Sequence, residues 1–268
     1  MAKRRVLISS LPVPLPGWPA ELAGLRIAHV SDFHFHRWNR VMQEAQERLR
    51  DLEYDLLIAT GDFGDFRSRW RRAAECAGRF FAPLASRGTI YAVLGNHDVP
   101  DLAERHDVPL RFLRNEWTMV PIRGRRLALA GVEQVEPRGG SLGRALDGIP
   151  PGVPVVLLAH YPSTAFHVPP DRVSLVLSGH THGGQIRFPG LGCVWPNDRV
   201  PRRMARGLHR LPNTVVHVSV GIGVSLPLRV RINCPPEISV LQLLPDSGSV
   251  GFLPVGCVAA PGQLKPIP

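Results

Sequence analysis

Five short stretches of this chain carry acidic, amide and imidazole side chains in the order and spacing of metal ligands: Asp32-x-His34, Gly61-Asp62, Gly95-Asn96-His97-Asp98, His160 and Gly179-His180-Thr181-His182. Neutral imidazoles and carboxylates bind borderline divalent ions, and a carboxylate between two ions holds them roughly 4 Å apart. Two such ions can hydrolyse a phosphate ester: one holds and ionises a water, and both offset charge on the phosphoryl oxygens. Asp32 and His34 are two residues apart, as are His180 and His182, so on extended backbone each pair points to one side. Gly61, Gly95 and Gly179 stand just before key residues, where a small residue permits a sharp turn and a close backbone approach. Singly, these blocks carry little. Asp62 and Asp98 also suit turns or helix caps, and an isolated His160 suits a core.

The elements that must position these residues are legible as short runs of Val, Ile and Leu. Strands are predicted at Leu25 to Val30, Asp55 to Ala59, Thr89 to Leu94, Arg126 to Ala130, Val153 to Leu158, Val173 to Leu177, Thr214 to Val220 and Ile238 to Leu243. Several are nearly continuous apolar runs, as expected of strands covered on both faces. Helices are predicted at Arg40 to Leu52, where Val41, Ala45, Leu49 and Leu52 recur at helical spacing, at Ser68 to Ala85, and more weakly after Pro100. The pattern is that of a layered α/β domain. Each candidate ligand block follows a predicted strand, and ligands collect at the carboxyl ends of strands in open α/β sheets. Pro189 to Pro212 lacks periodicity and reads as a long irregular insertion bordering the site.

Together the five blocks resemble the metal-binding blocks of calcineurin-like metallophosphoesterases, over Ser31 to His182. The resemblance implies a four-layer αββα sandwich of two mixed β-sheets flanked by helices. It implies two divalent metal ions, of manganese, zinc or iron. One would be held by Asp32, His34, Asp62 and His182, the other by Asp62, Asn96, His160 and His180, with Asp62 as the bridge. His97 matches the family's non-ligand histidine, which stabilises the phosphoryl transition state or protonates the leaving oxygen. Asp98 would orient its ring. His36 stands where relatives commonly have a small residue and is a candidate substrate contact.

A second resemblance extends from about Gly24 to Leu244. Gly183-Gly184-Gln185, Gly221-Ile222-Gly223-Val224-Ser225 and Pro235-Pro236-Glu237-Ile238 are similar to a bacterial branch of small, often membrane-associated phosphoesterases, with Glu133 standing where an Asp is frequent. That branch contains phosphodiesterases and pyrophosphatases, including enzymes cleaving UDP-2,3-diacylglucosamine in lipid A synthesis. A phosphorylated small molecule or lipid-linked substrate is therefore expected. Arg202 and Arg203, with Arg199, Arg206 and Arg210, are candidates for phosphate or headgroup contact. A nuclease or cyclic-nucleotide phosphodiesterase is the alternative, and a non-catalytic scaffold a more remote one.

The composition is compatible with either substrate class. Across 268 residues, 32 Lys and Arg against 22 Asp and Glu leave a net charge of +10, which attracts phosphates, anionic lipid or nucleic acid. Lys3 and Lys265 are the only lysines. Cys76, Cys193, Cys234 and Cys257 form no CxxC pair, so neither a zinc knuckle nor a disulfide framework is indicated. Residues 1–23 read as a basic, Pro-rich segment outside a catalytic domain of residues 24–245, with a tail at 246–268. Pro12, Pro14, Pro16 and Pro19 break the apolar start, and no apolar run is long enough to span a bilayer. The expectation is a cytoplasmic protein whose Lys3, Arg4, Arg5, Leu15 and Trp18 are available for peripheral contact with an anionic inner-membrane surface.

Overall fold

A computed structural model describes residues 6–65, 69–134, 141–225 and 229–246. In chain order, the strands begin with β1 (Leu7–Leu15), β2 (Leu25–Val30), β3 (Leu56–Thr60), β4 (Ile90–Val93) and β5 (Arg111–Phe112). There follow β6 (Glu116–Ile122), β7 (Arg125–Val132), β8 (Val155–Ala159) and β9 (Leu175–Ser178). The last are β10 (Arg187–Phe188), β11 (Gly192–Cys193), β12 (Gly207–Arg210), β13 (Val215–Val218) and β14 (Glu237–Pro245). One sheet runs β1-β14-β2-β3-β4-β5, a second β12-β13-β9-β8-β7-β6, and β10 and β11 pair as a separate hairpin. Both large sheets mix parallel and antiparallel pairs.

The strands alternate between two cores, as a two-residue period requires. On β2, Leu25 and Ile27 face the space between the sheets, where Leu129, Val156, Leu158, Leu175 and Leu177 meet them from the second sheet. Ala28 and Val30 face outward, against α1 (Arg40–Asp51) and α2 (Trp70–Phe81). α1 starts where Asn39 Oδ1 accepts from the backbone N–H groups of Val41 (2.9 Å) and Met42 (3.1 Å), and it buries Met42, Ala45 and Leu49. The outer face of the second sheet is covered more thinly, by α3 (Leu142–Leu146) and by turns carrying Ala165, Val168, Val200 and Met204. The four layers are therefore present, with a full helical layer on one side only.

All eight predicted strands exist within two residues of their expected ends, and both predicted helices are present. After Pro100 the chain makes a 3-10 helix, Pro100–Glu104. The region from 189 to 212 is not wholly irregular: it holds β11, a 3-10 turn at Arg202–Ala205 and β12.

The N-terminal expectation needs correction. β1 pairs in parallel with β14 along nine residues at the edge of the first sheet, so the domain begins at β1 and not at residue 24. Leu15 is 0% and Trp18 4% exposed, packed in the inter-sheet core, and neither is available to a membrane. The prolines misled because an edge strand has one unpaired side. Leu7 donates its N–H toward β14, to Pro236 (2.7 Å), so odd-numbered amides of β1 face the sheet. Pro12 and Pro14, at even positions, lack a donor only where the strand turns away from β14. Lys3, Arg4 and Arg5, and the tail beyond Asp246, lie outside the described residues. No described helix is long and apolar enough to cross a membrane.

Candidate metal centre

The predicted donors converge where β2, β3, β4, β8 and β9 end. Asp32, His34, Asp62 and His182 form one group, and Asp62, His160 and His180 a second, with the donor atoms of each group within 4.8 Å of one another and all residues buried. Asp62 belongs to both groups. Its Oδ2 lies 3.6 Å from His34 Nε2 and 3.2 Å from His160 Nε2, while its Oδ1 accepts from the backbone N–H of His97 (3.0 Å). One carboxylate oxygen thus faces both groups, and the other is tied to the protein. In the first group, His34 Nε2 stands 2.9 Å from His182 Nε2, and Asp32 Oδ1 3.4 Å from the latter. Asn96 is half-buried and follows Gly95, which packs directly against Asp62.

Backbone conformation sets this convergence, by a route other than strand alternation. Asp32, His34, Asp62, His180 and His182 all have positive φ, between 45° and 69°. Side chains that share a strand face would need extended backbone; these residues instead turn inward from left-handed positions. Such positions cost on the order of 1–3 kcal/mol each for residues other than glycine and persist where the surroundings enforce them. Close backbone approach enforces them here. A Cβ on Gly179 would meet Ser31 Oγ at 1.9 Å and Asp32 Oδ2 at 2.4 Å, and one on Gly95 would meet Asp62 Oδ1 at 2.3 Å. All three glycines predicted to permit close contact do so, since a Cβ on Gly61 would meet Gly95 N at 2.6 Å.

The hydrogen bonds sort the imidazole tautomers. His160 Nδ1 donates to the Thr60 carbonyl (2.6 Å), leaving its buried Nε2 with no hydrogen-bond partner, opposite Asp62. The His180 ring bonds the Asn197 backbone, and its Nδ1 is likewise buried without a partner. His160 Nε2 and His180 Nδ1 beside a shared carboxylate fit divalent cations once His160 gives up its proton, with the outer nitrogens held by carbonyls as metal-binding histidines usually are. Burial, then the charge of His160, pushes His180 down to about 4, and burial with His34 and Arg231 holds His182 well below its ordinary value. Both rings are therefore neutral. For His160, burial works against protonation but Asp62 and Asp32 outweigh it, and its pKa stands at about 10. Burial also opposes the charge on Asp62, yet His160 and His34 keep it well below the usual carboxylate range. A cation entering this group displaces the His160 proton.

His97 sits beside the first group, its ring centroid 5.2 Å from that of His34. Asp98 does not orient it. Asp98 Oδ1 accepts from the N–H groups of Phe63 (2.8 Å) and Gly64 (3.1 Å), and its Oδ2 from Gly95 (2.8 Å), so both carboxylate oxygens are committed to holding the two loops together. Burial, then the charge of Asp62, raises Asp98 to about 7. The His97 ring is held by Asp65, whose carbonyl accepts from Nδ1 (2.9 Å).

Asp65 is the residue that sequence reasoning missed. Its carboxylate also lies 3.0 Å from His34 Nδ1, off the hydrogen-bond axis, and accepts from Arg229 (2.8 Å). The Gly-Asp-x-x-Asp spacing from Asp62 was the available signal. Arg231 was missed as well, a buried cation under the site that donates to the carbonyls of Gly223 (2.7 Å) and Val220 (2.9 Å). Among the remaining candidates, His36 stands at the rim, where desolvation and then Arg229 lower its pKa. Arg202 and Arg203 do not meet at the donor atoms. Both are exposed on the Arg202–Ala205 turn, which Thr181 Oγ1 anchors through the Ala205 carbonyl (2.7 Å).

The two donor groups, sharing Asp62, could hold two divalent cations. The sequence profile of the calcineurin-like phosphoesterases matches residues 25–184, and the chain belongs to that family. It is a metal-dependent hydrolase acting on phosphate ester bonds. Among its relatives, a zebrafish transmembrane protein with metallophosphoesterase domain is 32% identical over 81% of this chain, which spans 53% of that protein's length. The Escherichia coli phosphodiesterase YaeI is 27% identical, with 83% of each chain covered. The Chlamydia muridarum UDP-2,3-diacylglucosamine pyrophosphatase LpxG is 23% identical, covering 86% of this chain and 87% of its own. A 5'-nucleotidase precursor from Thermus thermophilus shares the fold, with a TM-score of 0.50 at 16% identity, covering 81% of this chain and 54% of that one.

Proposed function

We propose that this protein hydrolyses a phosphodiester or pyrophosphate bond in a lipid-linked substrate, with a nucleotide-linked diacylglucosamine of the UDP-2,3-diacylglucosamine kind as the leading candidate. The observation that carries the hydrolytic part is the shared Asp62 Oδ2, facing one group of donors on each side. Asp32, His34, Asp62 and His182 would hold one divalent ion, and Asp62, His160 and His180 the other, with Asn96 added to the second by the family resemblance. Such ions lower the pKa of a water and offset phosphoryl charge. The protein's own groups do the rest. The Thr60 and Asn197 backbones hold the His160 and His180 rings in their tautomers. The Asp65 carbonyl accepts the proton on His97 Nδ1, so the form that would give a proton to the leaving oxygen is the doubly protonated ring, from Nε2.

Two features support the lipid-linked reading. LpxG, a UDP-2,3-diacylglucosamine pyrophosphatase, matches this chain over 87% of its length. A cavity of about 500 Å³ runs from His182 and Thr181 past Gln185 and Ile186 to Phe188, Val194 and Trp195, so apolar surface begins next to a donor histidine. Purified protein would be analysed for metal content and assayed against a monoester, a diester, a nucleotide-sugar lipid and single-stranded DNA. Two metals per chain with preferred turnover of the nucleotide-sugar lipid is the expected result; preferred turnover of DNA sinks the lipid reading. Asp62→Asn should remove most activity, because a neutral amide cannot neutralise two cations as a carboxylate does. Near-normal turnover with two bound metals would show that Asp62 is not the bridge.

A further inference from the structure

The apolar surface beside the metal centre extends well past the cavity. Among the described residues, eight large hydrophobic side chains are exposed, and four of them lie in the β10–β11 hairpin and just after it: Phe188 (51%), Leu191 (60%), Val194 (38%) and Trp195 (74%). Ile232 (43%) adjoins them, since its carbonyl accepts from Arg187 N–H and Ile186 bridges to it. A contiguous exposed apolar patch marks an interaction site.

The hairpin is fixed at its base, so this surface is presented and not merely loose. Arg187 Nη1 donates to the Gly183 carbonyl (2.8 Å), and Asn233 Nδ2 donates to the Arg187 carbonyl (3.0 Å). Buried Cys193 packs on Gly184, where an added Cβ would meet Sγ at 2.3 Å. Gly183 and Gly184 directly follow the donor His182.

Charge distinguishes among occupants. Residues 186–210 hold Arg187, Arg199, Arg202, Arg203, Arg206 and Arg210, with Asp198 the only acid. Asp198 is engaged by the backbone N–H groups of Ser163 (2.9 Å) and Arg199 (2.5 Å). The Arg202–Ala205 turn packs against β11, and Arg199, Arg202 and Arg203 are exposed. An aromatic and aliphatic tip ringed by arginines matches an anionic lipid surface, where apolar side chains enter the acyl boundary and cations meet the headgroup phosphates.

We infer that the β10–β11 hairpin docks the protein on an anionic bilayer, with Phe188, Leu191 and Trp195 in the interface and Arg199, Arg202 and Arg203 on the headgroups. This replaces the N-terminal contact suggested by sequence, whose Leu15 and Trp18 are in the core. Docking there sets the open side of the metal centre against the headgroup plane. It is independent of the substrate proposed above, because vesicles containing no substrate measure it alone.

The test is sedimentation of the full chain with phosphatidylglycerol/phosphatidylethanolamine vesicles, alongside a Phe188→Ser/Leu191→Ser/Trp195→Ser variant and an Arg199→Glu/Arg202→Glu/Arg203→Glu variant. Unchanged metal content and unfolding midpoint would establish that both variants fold. The inference expects wild-type binding that weakens with salt, and a loss of about tenfold or more in each variant. Brominated lipid should quench wild-type tryptophan emission, and most of that quenching should vanish in Trp195→Phe. Wild-type binding that the apolar variant retains overturns the inference. So does the absence of wild-type binding, and if the wild type instead self-associates in a manner the apolar variant abolishes, the patch is an interface between copies of the chain.

Discussion

His97 and Asp98 are sequence neighbours with separate partners, and their substitutions should separate accordingly. His97→Ala keeps the backbone N–H that Asp62 Oδ1 accepts and removes only the ring held by Asp65. Metal content by elemental analysis should stay at the wild-type level while kcat falls about a hundredfold. Loss of metal would place His97 among the ligands instead. Asp98→Ala leaves three buried N–H groups without acceptors, those of Phe63, Gly64 and Gly95, and should cost on the order of 3 kcal/mol in urea unfolding. A loss under about 1 kcal/mol would show that the loops do not depend on this tie. The donors themselves were legible because chemistry fixes their residue types and the chain delivers them in dense blocks. Their left-handed backbone was not, since the close approaches around Asp32 and Asp62 come from Gly179 and Gly95 in other segments. Asp65 was hidden for a related reason: one aspartate three residues from a ligand gains meaning only from what faces it.

The buried strands were readable from their apolar runs, whereas the edges were not. β6 carries Glu116, Thr118 and Pro121, and β1 carries four polar or proline residues, so neither shows the continuous apolar signal of β8 or β9. Both lie at sheet edges, where one side of the strand needs no partner. The hairpin strands β10 and β11 have two residues each and are too short for any period to register. β1 supplies the sharpest prediction at this scale. Deleting residues 1–15 removes the nine-residue pairing with β14 together with the buried Val13 and Leu15. Each of those side chains is worth about 1.5–3 kcal/mol of burial. The deletion should lower the thermal midpoint sharply and expose β14 to self-association, visible by gel filtration. A truncated protein that remains monomeric with an unchanged midpoint would return β1 to the status of an appendage.

A buried polar contact joins the two sheets beneath the site. His29 Nδ1 on β2 lies 2.9 Å from His217 Nδ1 on β13, and His29 Nε2 lies 2.9 Å from Thr60 Oγ1. Burial, then the neighbouring charge of His217, holds His29 well below its ordinary value, and burial takes His217 down to about 3. Both are neutral when folded, and unfolding frees them to bind protons below about pH 6.5. Above that value the pair adds no pH dependence. Below it stability should fall, by up to about 1.4 kcal/mol per pH unit for each histidine, down to about pH 3 for His217. A His29→Leu/His217→Leu variant measured beside the wild type should show a shallower decline between pH 6.5 and 4; parallel curves would mean the pair does not titrate on unfolding. At the same scale, the order of strands constrains how the chain can be made. The described partner of β1 is β14, which also lies between β1 and β2, so residues 7–15 wait for residues 237–245. While the ribosome is still translating, residues 7–15 have no place to settle, and a nascent chain arrested before residue 237 keeps two strands of its first sheet unzipped. Completion of the first sheet therefore waits for residues 237–245, and chaperone protection of residues 7–15 should persist until that segment emerges.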